Sequence, residues 1–111
     1  YALWLKAGVP AFSVNAGNQA VTVSAREKVS GWATLVGVIG ADRQVRLLVD
    51  GRVAATGKIP DFIERDPNEA MQIGADLGSP VVDPVPPKFT GLIESVRVFS
   101  GDAVGREGRL P

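Results

Sequence analysis

"QVRLLVDGRVAATG" (residues 44–57) decides the fold. Two β-branched, alternating runs flank Asp50-Gly51, and Asp-Gly between such runs is the strongest short-range signal for a β-hairpin. A two-residue loop sets Val49 opposite Arg52 and mixes the two faces. One extra residue instead aligns Val45, Leu47 and Val49 with Val53 and Ala55. A bulged turn is therefore expected at Asp50-Gly51.

The same punctuation extends in both directions. Thirteen Gly and eight Pro separate short apolar runs, a pattern of strands and turns rather than helices. "ALWLKA" (residues 2–7) reads as a strand, Gly8-Val9 as a tight turn and "PAFSVN" (residues 10–15) as the return strand. Residues 20–25 follow, with Val21 and Val23 alternating with Thr22 and Ser24, as in a sheet with one wet face. "WATLVGVIG" (residues 32–40) is nearly continuous apolar and predicts a central strand covered on both faces.

Beyond the hairpin, "KIPDFIERDPNE" (residues 58–69) reads as a long surface connection and "AMQIG" (residues 70–74) as a short strand. "GADLGSPVVDPVPPKFTG" (residues 74–91) is a loop. "GLIESVRVF" (residues 91–99) is the last strand, with a bulge near Glu94 where Ile93, Val96 and Val98 change parity. Residues 100–111 read as a polar tail or exit linker. About eight short strands with hairpin-length links predict an all-β fold, a two-sheet antiparallel β-sandwich in a single domain over residues 1–111. Trp4, Phe12, Trp32, Phe62, Phe89 and Phe99 are expected mostly in the core or as loop anchors, which argues against an aromatic sugar-binding platform.

Composition narrows function by exclusion. With 111 residues, 45% of them hydrophobic, the chain can bury one core. Twelve Lys and Arg balance twelve Asp and Glu, with no basic run, so no nucleic-acid partner is expected. No apolar run reaches the roughly 20 residues of a membrane helix, and no membrane partner is expected. Cys and His are both absent, which removes disulfides, thiolate and imidazole metal sites, and Ser-His-Asp chemistry. The opening at Tyr1, without Met or a basic leader, looks like a fragment, and a targeting signal, if there was one, is expected upstream.

Three groups of residues carry possible chemistry. Glu64, Asp66 and Glu69 in "ERDPNE" match the E-x-D-x-x-E pattern of β-sandwich glucanases, in which retaining hydrolysis needs carboxyl groups about 5 to 5.5 Å apart. Pro67 and the surrounding turn residues oppose the strand that this geometry requires, so a solvated acidic loop is the stronger reading. Calcium needs only oxygen ligands, and Asp42, Asp61, Asp76 and Asp83 are available on predicted loops, although none has EF-hand spacing. Asp76, Ser79 and Asp83, in the 74–91 loop, are the surface-loop ligand candidates, with turn formation through neighbouring amides as the alternative role.

Two stretches together carry a family resemblance: residues 31–57, and "MQIGADLGSPV" leading to "KFTGLIESVRVF". The Trp-led strand, the D-G hairpin, the strand ending in I-G and the closing F-x-G-x-I-x-x-V-x-V resemble laminin-G-like, concanavalin-like β-sandwich domains. This implies a jelly-roll sandwich or a partial version of it. More narrowly, Leu3, Trp4, Lys6, Gly8, Pro10, Phe12 and Asn15 resemble a run in the C-terminal region of bacterial arylsulfatases. Ile73, Gly74, Asp76, Gly78, Ser79, Pro80 and Val81 resemble the I-G-x-D-x-G-S-P-V of the same region. The chain departs from it at Ala7, where that family often has Asp, and in the Pro-rich link at 84–87.

The sulfatase resemblance implies an accessory module rather than an enzyme. The C/S-x-P-S-R motif that yields the formylglycine nucleophile does not occur here, and that family's metal ligands lie in a separate catalytic domain. The expectation is thus a non-catalytic module of a secreted or periplasmic sulfatase-like protein, without a cofactor, that binds glycan or packs against an adjacent sulfatase catalytic domain. The alternatives are a structural or oligomerising domain without ligand, and a glucanase-type hydrolase built on "ERDPNE".

Overall fold

The computed structural model describes residues 1–16, 19–62, 73–74 and 89–99. Six strands form in chain order: β1 (Ala2–Lys6), β2 (Val9–Ala16), β3 (Gln19–Ser24), β4 (Leu35–Ile39), β5 (Gln44–Val49) and β6 (Arg52–Lys58). They make two antiparallel three-stranded sheets in the orders β1-β2-β3 and β4-β5-β6. The architecture is all-β with no helix among the described residues, the two-sheet antiparallel arrangement expected from the sequence.

Alternation within each strand builds the core. Phe12, Val14 and Ala16 of β2 and Val23 of β3 face Val45 and Leu47 of β5, with Ile59 beyond the end of β6 closing one end. Leu47 and Val45 are fully buried because β5 is the middle strand of its sheet and lies under β2 and β3. Two glycines let the sheets approach. A Cβ on Gly37 of β4 would lie 2.5 Å from the Phe12 ring, and one on Gly57 of β6 would lie 2.8 Å from Val23. Glycine inside a strand often marks such a close approach.

The turns depart from the sequence expectation in informative ways. The β1–β2 turn is Ala7-Gly8, one residue earlier than expected, with φ of 50° and 85°. Both positive angles belong to a type I′ turn, whose twist matches the flanking strands. At Asp50-Gly51 the φ values are 51° and 82°, and Val49 pairs directly with Arg52. The turn itself is therefore tight rather than bulged. The extra residue sits inside β6 instead: Leu48 pairs with Val53 and Leu47 with Ala55, leaving Ala54 over. The hairpin thus keeps its favoured turn and restores the buried register two residues later.

Three further expectations are corrected. Residues 32–40 form no central strand: β4 begins at Leu35, lies at the edge of its sheet and is half-buried throughout. Its continuous apolar character arises because Val36 and Val38 face away from the other sheet while Leu35, Gly37 and Ile39 pair with the inward residues of β5. Residues 91–99 form no strand and are exposed along their length. Their sequence has strand character, but a strand exists only where a neighbour takes up its N–H and C=O groups, and no described strand does so. Of the expected strand at 70–74, Ile73 and Gly74 form a bend, while residues 70–72 lie outside the described residues.

Aromatic placement also differs from expectation. Phe12 alone is a core ring. Trp32, Phe62, Phe89 and Phe99 are exposed, Trp32 most of all at 67%, because each lies on a segment outside the two sheets.

Candidate functional site

Among the described residues, shallow clefts lie at opposite ends of β3, β5 and β6. The first, about 420 Å³, lies where β3 and β5 end and β6 begins, and is lined by residues 25–30, Ala33, Val49, Asp50 and Ala54. The connection from β3 to β4 forms one wall. It is tied down by hydrogen bonds from the Ala25 N–H to the Pro10 carbonyl and from the Val29 N–H to the Gly8 carbonyl, both 2.9 Å. The opposite wall is the β5–β6 hairpin.

Asp50 couples the two walls. Its N–H donates to the Thr34 carbonyl at 2.8 Å, and its Oδ1 accepts from the Thr34 N–H at 2.9 Å. The hairpin tip is thereby fixed against the residue that leads into β4. Arg26, Glu27, Lys28 and Ser30 supply exposed polar groups along the rim. Trp32 follows on the same segment, between the lining residues Ser30 and Ala33, with most of its indole in solvent. Cationic and anionic side chains and a hydroxyl on the rim, with an exposed indole on the same connecting segment, are the groups that recognise a polyhydroxylated ring, through hydrogen bonds at its edge and stacking at its face.

The second cleft, about 390 Å³, lies at the other end and is lined by Gln19, Val21, Arg43, Lys58, Ile59 and Pro60. On the outer face of the first sheet, Trp4 Nε1 donates to Ser13 Oγ at 2.9 Å, and Ser13 Oγ lies 2.7 Å from Thr22 Oγ1. Ser13 is fully buried yet partnered, so this network holds the indole down and leaves no polar atom unmet.

The loop aspartates proposed from the sequence divide into two groups. Asp42 Oδ1 accepts from the Gln44 N–H at 3.0 Å and Oδ2 pairs with Arg46 at 3.3 Å. The backbone hydrogen bond from Gln44, followed by the Arg46 charge, holds the Asp42 carboxyl below its ordinary value of 3.8. Asp61 Oδ1 accepts from the Phe62 N–H at 2.8 Å. Both organise turns, as short acidic side chains do. No group of three or more Asp, Glu, His or Cys side chains that could hold a metal occurs among the described residues.

Asp76, Ser79 and Asp83 lie outside the described residues, as do Glu64, Asp66 and Glu69. The ends of the 74–91 loop are described: the Phe89 N–H donates to the Gly74 carbonyl at 2.8 Å, and Gly74 has a φ of 83°. Two residues of the clefts' surroundings, Trp32 and Arg43, are not marked as functional by the sequence. The sequence places Trp32 at the head of a strand, as core or loop anchor, although the preceding Ser-Gly pair signals a connection. Arg43 carried no signal, because its place in the cleft follows from a backbone conformation that arginine rarely takes.

A family model described as the concanavalin A-like lectin/glucanases superfamily, Laminin_G_3, matches residues 1–105. No curated protein and no solved structure matches the chain.

Proposed function

Because the chain belongs to the concanavalin A-like lectin/glucanases superfamily, we propose that it is a non-catalytic carbohydrate-binding β-sandwich module and that the cleft beside Trp32 is its binding surface. The observation that carries this reading is the exposed indole on the segment that walls the cleft. A large apolar ring left in water lowers solubility without aiding the core, whereas stacking a sugar over it gains contact area. The cleft is shallow and open at its rim, which suits one or two units of a chain rather than an enclosed small molecule.

The resemblance to arylsulfatase C-terminal regions supports a parent protein of that kind, secreted or periplasmic, in which this module presents glycan to a catalytic domain. A C/S-x-P-S-R motif in the same polypeptide is the corresponding expectation, and a parent with a different catalytic domain overturns it. A bound calcium ion at the 74–91 loop is compatible with this reading and is tested by a calcium-dependent rise in melting temperature.

Affinity electrophoresis through gels containing neutral or sulfated polysaccharides tests the binding function. Retardation of the native protein, lost on Trp32→Ala without a change in melting temperature, is the expected result. Unretarded migration through the whole panel overturns it. A second reading, docking against another domain, is favoured by one observation: Leu92, Ile93, Val96, Val98 and Phe99 are all exposed on a segment without a pairing partner among the described strands. Such a run is the kind of surface that protein interfaces bury.

A further inference from the structure

Arg43 occupies a backbone conformation that its side chain does not favour. The turn from β4 to β5 closes with the Arg43 N–H donating to the Gly40 carbonyl at 3.0 Å and the Gly40 N–H donating to the Gln44 carbonyl at 2.8 Å. Arg43 follows the turn with a φ of 64°. That is the left-handed position of a three-residue hairpin loop, which glycine or asparagine fills at lower cost. A non-glycine residue held there is a reason to look for a function at that position.

Its side chain has a defined place. Nη1 donates to the Pro60 carbonyl at 3.1 Å, while the Arg43 carbonyl accepts from the Ile59 N–H at 2.9 Å. The guanidinium is thus held at the second cleft with most of its donors uncommitted. Lys58 and Gln19 line the same cleft together with Val21, Ile59 and Pro60. No carboxylate is among the described residues that line it. The nearest in sequence are engaged elsewhere: Asp42 with Gln44 and Arg46, and Asp61 with the Phe62 N–H.

We propose that this cleft is an oxyanion site, in which Arg43, Lys58 and Gln19 take a sulfate, phosphate or carboxylate group. Arg43 provides planar, paired donors and Lys58 a second positive charge, a combination matched to an oxyanion. Fixing the guanidinium to Pro60 in advance lowers the ordering cost of binding. The site lies at the far end of β3 and β6 from Trp32 and does not rest on the carbohydrate reading.

The test is an amide NMR titration with inorganic sulfate at constant ionic strength, balanced with chloride. Saturable shifts at Gln19, Arg43 and Lys58 are expected, with affinity weakened at least tenfold in Arg43→Asn and in Lys58→Gln. Arg43→Asn keeps a side chain that tolerates the left-handed backbone, Lys58→Gln touches only an exposed strand end, and Arg26→Gln at the other cleft should leave sulfate affinity unchanged. Shifts that are linear and spread over the surface, or equal in all variants, overturn the site. A parallel titration with a uronic-acid oligosaccharide identifies the source of the group. Binding ten times tighter than sulfate assigns an anion carried on a glycan, and equal binding assigns a free anion.

Discussion

The ring of Phe12 lies against the bare Cα of Gly37: a Cβ built at position 37 would stand 2.5 Å from two ring carbons. Phe12 projects from the middle strand of one sheet and Gly37 sits on the edge strand of the other, so this contact sets how closely the two sheets approach. Gly37→Ala should therefore destabilise the fold by about 1–3 kcal/mol, the usual range for overpacking. Phe12→Leu in the Gly37→Ala background should recover part of that loss while costing stability alone. Urea unfolding of the four proteins measures the coupling, and strictly additive changes would show that ring and glycine do not meet.

Ala7 has a φ of 50° in the β1–β2 turn, where its Cβ is crowded by the backbone. Asn tolerates that conformation better, so Ala7→Asn should raise stability by about 0.5–1 kcal/mol. A higher urea midpoint with an unchanged slope is the expected outcome. A lower midpoint would mean that residue 7 does not hold the left-handed conformation.

How far the sequence can be read depends on whether a feature is local. The β5–β6 hairpin was legible because Asp50 and Gly51 both suit the positive φ of its turn. The place of its bulge was not, because it depends on which register buries Leu47 against the other sheet. Continuous apolar sequence at 35–39 fits a central strand and an edge strand equally, since outward Val36 and Val38 look the same as buried ones. Residues 91–99 have the apolar pattern of a bulged strand but no pairing neighbour among the described strands, and a neighbour is not a local property. In the candidate sites, Trp32 carried a local signal in the Ser30-Gly31 pair, whereas Arg43 carried none. The proposed loop candidates Asp76, Ser79 and Asp83 lie outside the described residues.

Ser13 is fully buried on the outer face of its sheet, where its hydroxyl partners both Trp4 and Thr22. Removing it leaves the indole N–H and the Thr22 hydroxyl to find other partners. Ser13→Ala should cost about 1–2 kcal/mol. It should also move the Trp4 indole proton resonance towards that of a solvent-bonded indole. A Ser13→Ala protein with the native indole resonance and native stability would show that the network contributes nothing.

Asp42 gives a pH dependence whose direction follows from its contacts. The Gln44 N–H and the Arg46 guanidinium favour the ionised carboxylate, so its pKa in the folded protein lies below the ordinary value of 3.8. Depression of a carboxyl pKa by folding makes its contribution fully present above the unfolded value and lost as pH falls through the folded one. Stability relative to Asp42→Asn should therefore be flat above about pH 5 and decline only at more acidic pH, through the region beginning near the ordinary carboxylate value. Because Asp42 is solvent-exposed, salt should weaken the Arg46 part while leaving the Gln44 hydrogen bond in place. A carboxyl-carbon NMR titration should give a midpoint below 3.8 that rises only partly in high salt. A midpoint at or above the ordinary value would show that neither Gln44 nor Arg46 binds the carboxylate in solution.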